Sequence, residues 1–148
     1  MRFLLDSDSL SDLYEPAAPG HRAIARRIAT LTDSDYVFIS ILAIFELEYG
    51  HANAPGEKKP ALRERIQDLQ ADFEILPLTV EAARVFGELK AKLRIARSLK
   101  DKTTKLHNID LMIAAISIAN GCVLISADTL YPDLRELDPR LQLENWLA

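Results

Sequence analysis

Residues 2–5, 36–39, 74–76 and 122–125 are short, mostly apolar runs of the kind that form buried strands, and residues 141–144 read as a last one. The segments between them carry helical spacing. Residues 9–14 predict a short helix ended by the turn cluster at 16–20, and residues 21–31 an amphipathic one. Ser40 is placed to cap a helix that ends near Gly50. After a turn-rich link at 52–60 come a charged helix at about 61–72 and a long one over 80–97, with the apolar stripe Ala82, Val85, Phe86, Leu89, Leu93 and Ala96. Residues 98–107 read as a polar loop, and 109–120 as a helix stopped by Gly121.

Short apolar strands alternating with helices predict an α/β fold, a parallel sheet of about five strands with helices on both faces. At 148 residues, 49% of them hydrophobic, the chain is expected to form one domain, 1–148, with a substantial core. The stretch 111–127 is the longest mostly apolar one, but Asn120-Gly121 divides it into helix and strand, so it does not predict a membrane span. Arg2 is followed by only three apolar residues, too few for a secretory leader. Cys122 lies in an apolar run and reads as a small buried hydrophobe. A soluble cytoplasmic protein with no membrane contact is expected.

Four carboxylates break this apolar pattern. Asp6 and Asp128 each follow a strand, Glu46 lies inside an apolar helix, and Asp110 opens another. In an open parallel sheet, ligands gather at the carboxyl ends of the strands, which is where Asp6 and Asp128 fall. Glu46 is about 9 Å along its helix from Ser40, within reach of the same edge. Asp110 occupies a first helical turn, where the macrodipole favours the ionised form. Each placement also has a plainer reading. Asp6 or Asp8 could cap the helix that follows, Asp8 being the better candidate; Asp110 could only complement a helix dipole; Asp128 could be a turn residue, as Asp133 and Asp138 are expected to be. Glu48 has a setting comparable to that of Glu46, and position near the strand edge favours Glu46 only slightly.

Converging carboxylates repel: two charges 4 Å apart cost about 4 kcal/mol at an effective dielectric near 20. Protons or a cation must offset that. The histidines, His21, His51 and His107, are irregularly spaced and read as surface or loop residues, so an all-oxygen site for Mg²⁺ or Mn²⁺ is the better fit. Magnesium retains waters and favours phosphate as a further ligand, which points to phosphate chemistry.

The segments Leu4-Leu5-Asp6-Ser7-Asp8-Ser9-Leu10, Glu46-Leu47-Glu48-Tyr49-Gly50, Asn108-Ile109-Asp110-Leu111-Met112-Ile113-Ala114-Ala115 and Leu124-Ile125-Ser126-Ala127-Asp128 resemble, in order and spacing, the four motifs of PIN-domain ribonucleases, most closely the VapC toxins of bacterial toxin-antitoxin pairs. The resemblance implies a PIN-like domain and assigns the acidic quartet to Asp6, Glu46, Asp110 and Asp128, with Ser126 as a supporting hydroxyl. It chooses Glu46 over Glu48. It also implies Mg²⁺- or Mn²⁺-dependent hydrolysis of RNA by an activated water, a homodimer, and a VapB-like antitoxin partner. Two departures stand out. Asp8 occupies a position where the family often has Asn, adding a possible ligand. The stretch 95–108 is longer than usual and lacks the glycine common after the basic helix.

A formal net charge of −4 excludes a global basic field, but residues 84–105 carry eight basic against two acidic side chains, which leaves the remainder at −10. Lys90, Arg94 and Arg97 recur on one helix face there and are the candidate RNA contacts, against the plainer reading of a solvated face. Two other functions share these features. A PIN-like module could bind RNA or protein without cutting, or the nuclease could process RNA without being a toxin. Asp6-Ser7-Asp8 after a strand also mimics the nucleophile motif of haloacid-dehalogenase-like phosphatases, although Leu10 stands where that motif needs Thr or Val.

Overall fold

A computed structural model describes residues 1–98 and 107–147. The described elements run β1 (Arg2–Leu5), α1 (Ser7–Tyr14), α2 (His21–Ala29), β2 (Tyr36–Ser40), α3 (Ile41–Ala52), a 3₁₀ turn (Gly56–Lys58), α4 (Lys59–Asp72), β3 (Glu74–Leu76), α5 (Val80–Arg97), α6 (Asn108–Ala119), β4 (Val123–Ile125), α7 (Leu130–Leu137) and β5 (Gln142–Glu144). All five strands pair in parallel, in the order β3-β2-β1-β4-β5.

The strands' two-residue period divides the core into two layers. Leu4, Phe38, Leu76 and Leu124 face α5, α6 and α7, while Phe3, Leu5, Ile39, Val123 and Ile125 face the side built by α1 to α4. Burial on both faces explains why the strands read as unbroken apolar runs. Helix α6 is apolar almost all round because it is buried, with Leu111, Ile113, Ala114, Ala115 and Ile116 inside. Its lone internal hydroxyl, Ser117, donates to the Cys122 carbonyl at 3.0 Å and ties the helix to β4. Between them Gly121 takes a φ of +63°, the left-handed conformation that lets the chain reverse within two residues. Cys122 is buried, as expected.

The structure corrects several boundaries. Helix α1 begins at Ser7, and Asp6, not Asp8, caps it: the Ser9 N–H donates to Asp6 Oδ1 at 2.8 Å. Part of the 52–60 link is helical. Helix α7 was not expected at all. Pro132 and the flanking aspartates signal turns, yet Pro132 falls in the first turn of α7, where the missing N–H costs nothing. Of the loop expected at 98–107, residues 99–106 lie outside the described residues, together with Lys100, Lys102 and Lys105. Ser98 closes α5 at φ 49°. Among the described residues no helix is long and apolar enough to cross a membrane.

Asp138, read from sequence as a turn residue, ends α7 as a buried anchor, 2% exposed. It accepts from Lys92 Nζ at 3.0 Å and from Arg140 Nη2 at 2.7 Å, and Arg140 reaches on to Glu88 at 2.6 Å. These bonds brace α5 against the α7–β5 turn. The Arg140 guanidinium, followed by Lys92, holds the Asp138 carboxyl well below the usual carboxylate range. A carboxylate whose pKa is depressed by folding stabilises the fold above its unfolded value, near 3.9, and loses that contribution as pH falls towards the folded value. Asp138→Asn is therefore expected to cost about 1–3 kcal/mol at pH 7. In thermal melts the gap from wild type should narrow progressively as pH falls below about 4.

Candidate functional site

Strand order reverses at β1. The chain moves outward through β2 and β3, then returns to the other side of β1 with β4 and β5. A crevice outside the carboxyl ends of β1 and β4 is the geometric result. Leu5 is in register with Ile125, so the next residues, Asp6 and Ser126, emerge side by side. Ser126 Oγ donates to Asp6 Oδ2 at 2.5 Å and accepts the N–H of Asp128 at 3.0 Å. The Asp6 N–H in turn donates to the Ile125 carbonyl at 3.1 Å. One hydroxyl thus fixes a side chain from β1 and the backbone of the turn after β4.

A cleft of about 310 Å³ opens there, lined by Asp6, Asp8, Glu46, Asp110 and Asp128 together with Ser7, Ile109, Ile113 and Tyr131. Each acid is delivered by a different local device. Asp6 caps α1 with one carboxylate oxygen while the other meets Ser126. Ser40 accepts the Ala43 N–H and starts α3, so that Glu46 projects into the cleft, where Ser7 Oγ donates to its Oε1 at 3.0 Å. Asp110 stands in the first turn of α6. Asp128 Oδ1 accepts the Leu130 N–H at 2.8 Å, at the start of α7. Glu48, the alternative to Glu46, points elsewhere and forms a two-pronged pair with Arg63 at 2.5 and 3.0 Å.

The cleft is electrostatically strained. Burial raises the pKa of Asp6, against the opposing hydrogen bonds from Ser126 and Ser9. Burial also raises that of Asp110, with the charge of Asp128 next and those of Glu46 and Asp8 adding to it. Tyr131 is buried beneath them, and burial followed by those carboxylates pushes its phenol far up, so it stays a neutral donor. Its hydroxyl donates to the Asp110 carbonyl at 3.3 Å and steadies the first turn of α6.

The donor set is all oxygen and anionic, which suits a hard divalent cation. Among the described residues no three His, Cys, Asp or Glu side chains form a ready-made metal cluster. The acids line the cleft rather than close on one point. That arrangement fits Mg²⁺ or Mn²⁺ bound through one or two carboxylates and several waters.

Of the three candidate basic residues, Arg97 lies nearest these acids. With His107 and Thr129 it lines a recess that shares Asp110 and Asp128 with the cleft, and it pairs with Asp133. Arg94 lines a shallower depression on α5, and the Lys90 ammonium sits 5.6 Å from the Phe86 ring centre. Sequence reading missed His107, Ser7 and Tyr131. His107 was set aside as irregularly spaced, although its place three residues before Asp110 was the available signal.

The family profile of the PIN domain matches residues 3–137. No curated protein matches the sequence. Among solved structures, the fold is similar to a chain of VapBC2 from Rickettsia felis bound to a DNA fragment from their promoter, with a TM-score of 0.76 and 20% identity over 99% of each chain. VapBC-1 from nontypeable Haemophilus influenzae gives 0.76 and 19% over 100% of each. FitAcB from Neisseria gonorrhoeae gives 0.76 and 22% over 97% of each. At such identity the likeness is one of fold.

Because folding raises the pKa of Asp110, its charge opposes folding: the penalty is full above the folded value, fades as pH falls through it, and is gone below the unfolded value of about 3.9. Without divalent cations, Asp110→Asn is expected to raise the thermal midpoint at pH 7.5 by about 2–4 °C, and the advantage should vanish near pH 3.5. Ser126→Ala should act in the opposite sense. Losing a hydrogen bond to a buried carboxylate is expected to cost about 1.5–3 kcal/mol in urea unfolding at pH 7.

Proposed function

The chain belongs to the PIN-domain family, and on that premise we propose that it is a metal-dependent endoribonuclease, the toxin of a VapBC-type toxin-antitoxin pair. The observation that carries this reading is the meeting of Asp6, Glu46, Asp110 and Asp128, from four separate elements, around one cleft at the reversal of strand order. A solvated surface would spread such charges apart. A cleft that gathers them suits a cationic ligand and an anionic substrate bridged by it.

In this reading Asp6, Asp110 and Asp128 hold Mg²⁺ or Mn²⁺, directly or through water, and Asp8 is an additional oxygen donor. Glu46 either binds the metal or orients the attacking water, and Ser7 fixes its carboxylate. The metal supplies a water of lowered pKa and neutralises charge gathering on the phosphoryl oxygens. Ser126 holds Asp6 and the Asp128 backbone in register. Arg97, with Lys90 and Arg94 further along α5, meets the RNA backbone. Residues 1–148 act as one nuclease domain in the cytoplasm. RNA is the polymer implied by the family resemblance.

The partner reading is supported by the solved structures, several of which are of VapBC, and by a toxin-antitoxin complex from Klebsiella pneumoniae similar in fold, with a TM-score of 0.58. That likeness supports a VapB-like antitoxin partner; the homodimer is carried only by the family resemblance. Exposed Phe45, Tyr49, Leu78 and Val80 supply apolar surface for such contacts.

Purified protein is expected to cut single-stranded RNA with Mg²⁺ or Mn²⁺, to stop in chelator, and to lose about 100-fold or more of its rate on Asp6→Asn or Asp110→Asn. Cleavage is read on end-labelled RNA. Tight RNA binding without cleavage in either metal would favour a binding module. Expression alone should arrest growth and co-expression of the antitoxin restore it; no arrest at good expression would favour an RNA-processing enzyme.

A further inference from the structure

Beside the acidic cleft lies a second, smaller recess between α1, α3 and α4, about 100 Å³ in volume. Leu10, Leu47, Leu69 and Tyr14 line it together with the exposed Ser11 and the half-buried Arg65. Ser7 and Glu46 line both spaces, so the Glu46 carboxylate and its Ser7 partner form part of the wall between them. Pockets for whole small-molecule ligands run to about 300–1,000 Å³, so this one suits a single ring and not a complete ligand.

Its aromatic wall is held in place. The Tyr14 hydroxyl donates to Asp72 at 2.7 Å, and its ring meets Phe73 edge-on at 6.4 Å. Arg65 is fixed by donation to the Tyr14 carbonyl at 3.4 Å and by pairing with Glu15 at 3.6 Å. An apolar slot with an immobilised aromatic face, a guanidinium and a hydroxyl in its lining has the features that receive an unstacked nucleobase: stacking surface with hydrogen-bonding groups beside it.

We propose that this recess takes the base of a nucleotide flanking the scissile phosphate and thereby sets the nucleotide preference of cleavage, an inference that rests on the nuclease reading of the acidic cleft. Adjacency decides between occupants. A base is tethered to its phosphate through one ribose, so a phosphate held among the acids carries its neighbouring base to the far side of the Ser7 and Glu46 wall. A side chain of a partner protein has no such tether and is the alternative that the experiment separates.

The test uses one single-stranded oligoribonucleotide that the wild type cuts in Mn²⁺, and two copies of it with an abasic nucleotide on either side of the cleaved bond. Ser11→Phe fills the recess from an exposed lining position and leaves the acids untouched. The wild type is expected to cut one abasic copy about tenfold more slowly than the parent, the scale of one lost stacking contact. Ser11→Phe should cut the parent and that copy alike, at the slower rate. Equal wild-type rates on all three oligonucleotides would overturn the proposal. So would a Ser11→Phe enzyme that keeps the tenfold ratio, whether its overall rate is unchanged or lowered. Weakened neutralisation by the antitoxin with the ratio intact would assign the recess to a partner side chain. If the wild type cuts no RNA in Mg²⁺ or Mn²⁺, the nuclease reading itself fails, a result distinct from any of these ratios.

Discussion

The rest of the site depends on one hydroxyl held between two strands. Ser126 donates to Asp6 and accepts from the Asp128 backbone, so the register of β1 against β4 becomes the register of two carboxylates. A slip of one residue would turn the slipped strand's side chains to the opposite face of the sheet and part the two. The apolar residues that prevent it, Leu4 and Leu124 on one face and Leu5 and Ile125 on the other, are fully or almost fully buried. Core packing and site geometry are therefore one constraint expressed twice.

That coupling also separates the molecule's two kinds of carboxylate. Asp138 is buried with cations around it and its pKa falls; Asp6, buried, and Asp110, half-buried, stand near other acids and theirs rise. The first arrangement contributes to stability, and the second draws on it. Functional sites commonly show this inversion, because a group fully satisfied by the protein has little left to offer a ligand. The bracing by Lys92, Arg140 and Glu88 supports the end of α7 opposite the one where Asp128 meets Leu130.

Much of the fold was legible because buried parallel strands announce themselves as apolar runs and Ser40 and Gly121 mark helix boundaries. Helix α7 was not, since a proline in a first turn looks in sequence like a turn signal, and since Asp138 owes its burial to Lys92 and Arg140, one of them 46 residues away. The reading of Asp6 and Asp8 as alternatives was too exclusive. A carboxylate has two oxygens, and Asp6 uses one as a cap and turns the other to Ser126. Local sequence barely distinguished Glu46 from Glu48; the structure sets them apart because Arg63, fifteen residues on in α4, engages Glu48. The convergence of Asp6, Glu46, Asp110 and Asp128 on one cleft was expected from the strand edges. The contributions of Ser7, His107 and Tyr131 were not, for each depends on tertiary neighbours.

The central position of β1 has a consequence for synthesis. Its inner neighbour β4 lies more than a hundred residues downstream, so the pairing that sets Asp6 beside Ser126 closes one of the longest loops in the chain. Such non-local pairings form late, and a chain emerging from the ribosome at about 5–20 residues per second holds β1 and α3 for some time before their counterparts exist. During that interval the acids of the first half have no cleft to share. The cleft exists as a cleft only once the last third of the chain, which carries Asp110 and Asp128, has joined the sheet.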